Sequence, residues 1–142
     1  MVCAKKNKGI VIIPHPFRTS GKGIGYIEGL PVDAAETLNS KGLTNRSNKK
    51  AIKEANRLNL PHVGGSDAHV AELIGQCYTM IDAPANTKKD ILNAIVKGKT
   101  KAYGKLSPPL KTATAYKRVL LKRIKKNKQA KINAEQGIKI QS

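Results

Sequence analysis

Asp67 and His69 stand two positions apart in Gly64-Gly65-Ser66-Asp67-Ala68-His69. A carboxylate oxygen and an imidazole nitrogen aimed at one point suit a divalent metal such as Zn, Mn or Fe, and Mg is also compatible. The apolar approach through Leu60 and Val63 predicts a strand that runs into the two glycines. An extended tip would turn both side chains to one side, since strand side chains alternate with a period of two. Glycines at that point let the backbone come close to whatever is bound. The plainer alternative is a capping aspartate beside a surface histidine.

A second histidine follows a second strand-like run. Gly9-Ile10-Val11-Ile12-Ile13 is apolar and rich in β-branched residues, and Pro14-His15-Pro16 stops it. Such runs fit strands buried on both faces of a parallel sheet. The flanking prolines predict an extended, stiff His15 just past the strand. Phe17 and Arg18 come next, then a glycine-rich loop from Thr19 to Gly29. A metal-ligating histidine, an anion-binding arginine and a loop belong together at a barrel mouth; a turn histidine with a solvated arginine is the alternative.

Three phrases together resemble a known family: G-I-V-I-I-P-H-P-F-R (Gly9 to Arg18), V-D-A-A-E-T-L-N-S (Val32 to Ser40) and L-P-H-V-G-G-S-D-A-H (Leu60 to His69). With E-L-I-G-Q-C-Y-T (Glu72 to Thr79) downstream, their order and spacing resemble the later strands of PHP-domain proteins, the polymerase and histidinol phosphatase superfamily of metal-dependent phosphoesterases. The resemblance runs from about Lys8 to Pro109. It implies the C-terminal portion of a distorted (β/α)7 barrel with divalent metals at the strand ends. On that reading His15, Asp67 and His69 match metal ligands and Arg18 matches a substrate-phosphate position. Glu36 and Asn39 lie on a strand leading to the same rim.

The chain also departs from the family. PHP enzymes open with H-x-H on the first strand, whereas this sequence has three histidines, His15, His62 and His69, and no H-x-H. The leading strands of the barrel are therefore expected to be absent, through an upstream partner, a truncated gene or an incomplete gene model. A closed barrel of this kind takes roughly 200 residues or more, against 142 here. Two or three ligands hold one ion weakly and do not build a centre in which one metal binds phosphate and another activates water.

Elements alternate between the motifs, as in α/β folds. Strands are expected at Val32 to Leu38, followed by a turn at Asn39-Ser40-Lys41-Gly42, and at Leu60 to Gly65, Cys77 to Ile81 and Thr100 to Tyr103. Helices are expected from Arg46 to Asn59, capped by Thr44 or Asn45 with Ala51, Ile52, Ala55 and Leu58 spaced on one face, and from a capping box at Thr87-Lys88-Lys89-Asp90 to Gly98. His62, inside its strand, reads as a packed structural histidine, and Cys77 as core. Of Asp33 and Glu36, three apart on one strand, only one can face inward, and Glu36 is the choice. Glu72 either approaches the rim or caps a turn.

Charge divides the chain. The formal net charge is +18, and residues 111–142 hold ten Lys/Arg against Glu135 alone, a net +9. The reading is a partial PHP-type barrel over 1–110 and a basic helical tail over 111–142. Ala113, Tyr116, Leu120 and Ile124 space as a helical stripe, with Lys117, Arg118, Lys122, Arg123, Lys125 and Lys126 around it. The stripe packs on the barrel, or the helix binds nucleic-acid phosphates, or it lies on an anionic membrane surface. Two cysteines make no disulfide framework, no run is long enough to cross a membrane, and a cytoplasmic setting is expected. Two functions follow. One is a phosphoesterase acting on a phosphorylated small molecule, nucleotide or oligonucleotide. The other is a non-catalytic protein that docks on nucleic acid or a partner, for which a barrel-bearing ribonuclease P component in the family is a precedent.

Overall fold

The computed structural model describes residues 2–19, 21–42 and 44–139. It is a mixed α/β structure with one parallel and one antiparallel sheet. After a short helix α1 (Val2–Lys6), β1 (Ile12–Ile13), β2 (Ala34–Asn39) and β3 (His62–Gly65) pair in parallel in that order. Helix α2 (Arg46–Arg57) joins β2 to β3. A 3-10 turn (Ala71–Leu73) leads to β4 (Cys77–Ile81), α3 (Lys88–Val96) and β5 (Thr100–Gly104). Here β4 and β5 run antiparallel, as a separate two-stranded sheet. A long helix α4 (Pro109–Lys139) follows.

β2 is the central strand and is covered on both faces. Ala35 packs with Phe17, Ile27, and Ala51 and Ala55 of α2; Ala34 packs with Val63 and Ile95 of α3. Ala35, Ala51 and Ala55 have short side chains, so α2 lies close against the sheet. Burying Ile95 supplies roughly 2–3 kcal/mol of hydrophobic stabilisation. Thr87 and Asp90 start α3 with a reciprocal capping box, as the sequence predicts. Asn45, by contrast, makes no side-chain cap on α2. The buried Asn48 instead ties the first turn of α2 to the end of β2. Its Oδ1 accepts from Asn39 N at 3.1 Å and its Nδ2 donates to Asn39 O at 3.0 Å.

Strand limits shift from the sequence expectation. The run from Gly9 contributes only Ile12–Ile13, and β2 begins two residues later than expected and ends on Asn39. Asp33 falls outside β2; its carboxylate accepts from Val11 N at 2.7 Å and pairs with Lys5. A register shift between Glu36 and Leu38 lets β2 keep pairing with β3 to the rim.

The two sheets meet at β3. Thr79 Oγ1 accepts from Gly64 N and donates to Gly64 O, both at 2.9 Å, and Thr100 Oγ1 donates to His62 O at 2.8 Å. Gly64 is required by this approach: a Cβ there would sit 2.6 Å from Tyr78 O and 3.3 Å from Ala102 Cβ. Gly64→Ala is expected to cost about 2 kcal/mol by overpacking the sheet junction. Urea denaturation checks it, and a loss below about 0.5 kcal/mol would contradict this packing.

Candidate site at the strand ends

The C-terminal ends of the three parallel strands carry the candidate site. Glu36 Oε2 accepts from His15 N at 2.7 Å and from Asn39 Nδ2 at 3.1 Å. Its other oxygen lies against β3, where a Cβ on Gly65 would come within 2.3 Å of Oε1. One buried carboxylate thus touches the ends of all three strands. Burial pushes the Glu36 carboxyl above its ordinary value, and the bonds from Asn39 and His15 N oppose that only in part.

His15 is not extended, as its flanking prolines predict. Its φ is +30°, because its amide turns onto Glu36 and its carbonyl accepts from Arg18 N at 3.1 Å. Its Nδ1 is buried without a hydrogen-bond partner among the described residues. Asp67 also has positive φ, +46°, and β3 stops at Gly65, so strand alternation does not set the directions of Asp67 and His69. Left-handed backbone at two non-glycine residues is uncommon and persists only where surrounding contacts over-determine it.

Asp67 is paired with Arg18, and Lys41 Nζ lies 3.9 Å from its Oδ1. His69 is half-exposed and sits outside this pair; its Nδ1 is 2.9 Å from Asp67 O, and Lys41 Nζ is 3.0 and 3.2 Å from its two ring nitrogens. With the proton on Nδ1, Nδ1 donates to the Asp67 carbonyl and the Nε2 lone pair faces the lysine. His15, Arg18, Glu36, Asn39, Lys41 and Arg46 line a cleft of about 480 Å³ between the rim and the start of α2.

Among the described residues, no three His, Cys, Asp or Glu side chains group closely enough to hold a metal. Of the expected ligands, His15 offers a buried Nδ1 with no hydrogen-bond partner among the described residues, whereas Asp67 is engaged by Arg18. These donors do not fit a multinuclear centre.

Other candidates separate from the rim. His62 hydrogen-bonds Thr37 Oγ1 at 3.1 Å and Asn56 Oδ1 at 3.0 Å, and burial lowers its pKa; it is a structural histidine. Burial also pushes the Cys77 thiol up to about 11, which leaves it protonated at neutral pH. Glu72 neither reaches the rim nor caps; it pairs with Arg118 of α4.

Of the expected stripe on α4, Tyr116 docks and the rest does not. Ala115 is buried and Tyr116 partly so, while Leu120 and Ile124 are 58% and 54% exposed. Residues 117–134 are all exposed, so the helix packs through its first turns and leaves the body before the stripe reaches Leu120. Lys117, Lys122, Arg123, Lys125 and Lys126 are exposed. The residue that the sequence analysis does not single out is Lys41. Its only local signal is its place two residues after Asn39, where the reading predicts an ordinary turn.

Residues 45–100 match the family model described as PHP-associated, a match consistent with the C-terminal part of PHP-domain proteins. The matched stretch runs from the start of α2 to the start of β5 and contains Asp67 and His69; His15, Arg18, Glu36 and Lys41 lie before it. No curated protein and no solved structure matched the chain.

A carboxyl whose pKa is raised in the folded state binds its proton more tightly there than in the unfolded chain. Its contribution therefore favours the fold at low pH and is lost as pH rises through the folded value. Glu36→Gln keeps an acceptor and removes the charge, so it is expected to raise Tm at pH 7 and change little near pH 4. An equal shift at both pH values would contradict a buried, charge-penalised Glu36.

Proposed function

We propose that this chain works as the C-terminal part of a PHP-type metal-dependent phosphoesterase, with the geometry of a partial (β/α) barrel rim. The observation that supports it best is the convergence of His15, Glu36, Asn39 and Asp67 at the ends of three adjacent parallel strands, where β/α barrels place their sites. A divalent ion at this rim would supply the Lewis acidity and the activated water that phosphate-ester hydrolysis needs. His15 Nδ1 and Asp67 would hold it, and His69 reaches it by turning from Lys41.

Arg18 then has two roles. Without ligand it neutralises Asp67; with a phosphate present its guanidinium turns to the phosphate oxygens, for which its planar fork is suited. Glu36 holds the rim in shape through the His15 amide and the Asn39 side chain. The ligand count in this chain favours slow turnover, because a multinuclear centre needs donors beyond these residues.

Calorimetric titration of the metal-free chain with Mn²⁺ or Zn²⁺ tests this. About one ion per chain is expected, with affinity reduced at least about tenfold by His15→Ala or Asp67→Ala. Slow hydrolysis of a generic phosphate ester should be lost with them. Binding unaffected by both substitutions would sink the reading.

A second reading is favoured by α4. Over residues 109–134 the helix contains no acidic residue and exposes most of its basic ones, as a polyanion-binding arm would. Its affinity for RNA should fall steeply with salt, through counterion release. Neutralising Lys122, Arg123, Lys125 and Lys126 should flatten that slope, and a salt-independent affinity would count against the arm.

A further inference from the structure

We infer that Lys41 is a substrate-binding residue of this site, selecting a dianionic phosphate monoester group, and that Tyr116 of α4 positions it; this rests on the phosphoesterase reading above. Lysines normally keep their ammonium in water, yet the Lys41 side chain is only 15% exposed. An ammonium has three donors. Among the described residues, its nearest acceptors are the His69 imidazole and the Asp67 carboxylate, the latter at 3.9 Å, beyond hydrogen-bond length. Two N–H groups are therefore unmatched.

Arg18 is left in a similar state. Its Nη1 donates to Asp67, and its other guanidinium donors have no partner among the described residues. Both cations line the same cleft. Two cations with several unfilled donors, facing one cavity, complement a terminal phosphate with three free oxygens and two charges. An internal diester offers two free oxygens and one charge. The cleft also lacks an exposed aromatic for stacking a base, since Phe17 is buried and its ring faces Lys50.

Tyr116 holds the lysine from the far side. Its ring centroid lies 5.4 Å from Lys41 Nζ and 6.2 Å from the His69 ring. A cation over a ring face is attracted by the quadrupole, so α4 restrains the ammonium at the cleft mouth. Arg118 with Glu72, and the Ser40–Ser107 hydroxyl pair at 3.0 Å, fix the root of that helix. The Tyr116 hydroxyl is buried without a partner among the described residues, so the contact with Lys41 is made by the ring.

The test is calorimetry on the full, metal-free chain with phenyl phosphate and with methyl phenyl phosphate. The monoester should bind at least tenfold more tightly than the diester. Lys41→Met should weaken monoester binding tenfold or more, and Lys41→Arg by no more than about threefold. Tyr116→Ala should weaken it severalfold and shift the His69 ring-proton resonances, with Tyr116→Phe restoring both. Neutralising the exposed Lys88 and Lys89 of α3 should change nothing. If Lys41→Met fails to fold, Lys41→Gln carries the same comparison.

Equal affinity for monoester and diester, absence of binding by the native chain, or unchanged binding in Lys41→Met would each overturn the inference. So would loss of binding on neutralising Lys88 and Lys89 alone. Failure here with intact, His15-dependent metal binding would leave the phosphoesterase reading standing. Monoester binding without any metal binding would do the reverse.

Discussion

The Glu36 carboxylate is the contact on which the rim depends. It is buried at the junction of β1, β2 and β3, bonded to the His15 amide and the Asn39 side chain, and pressed against the Gly65 backbone. A buried carboxylate is costly to ionise without partners, and here the partners are the residues that define the site. The bond to the His15 amide bends the chain into a left-handed turn, and His15 Nδ1 has no partner among the described residues. The close fit at Gly65 tolerates no side chain. Local strain at His15 is thereby held by one long-range contact.

Electrostatics sets the second constraint. Asp67 is neutralised by Arg18 and approached by Lys41. On the proposed function, a metal at Asp67 would compete with these cations, and a phosphate that drew them away would relieve the competition. Metal and phosphate would then be coupled through Asp67, and thermodynamic linkage would make the coupling reciprocal. The chain's +9 outside the basic tail adds a general attraction for anions.

Much of this was legible in the residues. The β-branched run before Pro14, the helical spacing of Ala51 and Ala55, and the Thr87–Asp90 box are local signals, and they produced the elements they predict. The family phrases named His15, Asp67, Glu36 and Asn39 at one rim, and the strand ends bring these residues to it. What escaped was set by distant contacts. The prolines around His15 predict extended backbone, but Glu36, 21 residues away, pulls its amide into a turn. Periodicity gave a stripe on α4, yet the docked face is chosen by Ala115 and Tyr116 meeting Lys41 and His69. The antiparallel pairing of β4 with β5 has no mark in either strand, because direction depends on the connection and not on strand composition. Lys41 looked like a turn residue for the same reason: its burial is made by α4, some 75 residues on.

The central claim is that His15 offers an open nitrogen to a ligand while His62 is fully engaged. With three histidines in the chain, imidazole NMR during titration with Mn²⁺ reads this directly. The His15 resonances should broaden at the lowest metal concentrations, with His69 following and His62 unaffected. Broadening of His62 first, or of none of the three, would contradict the account.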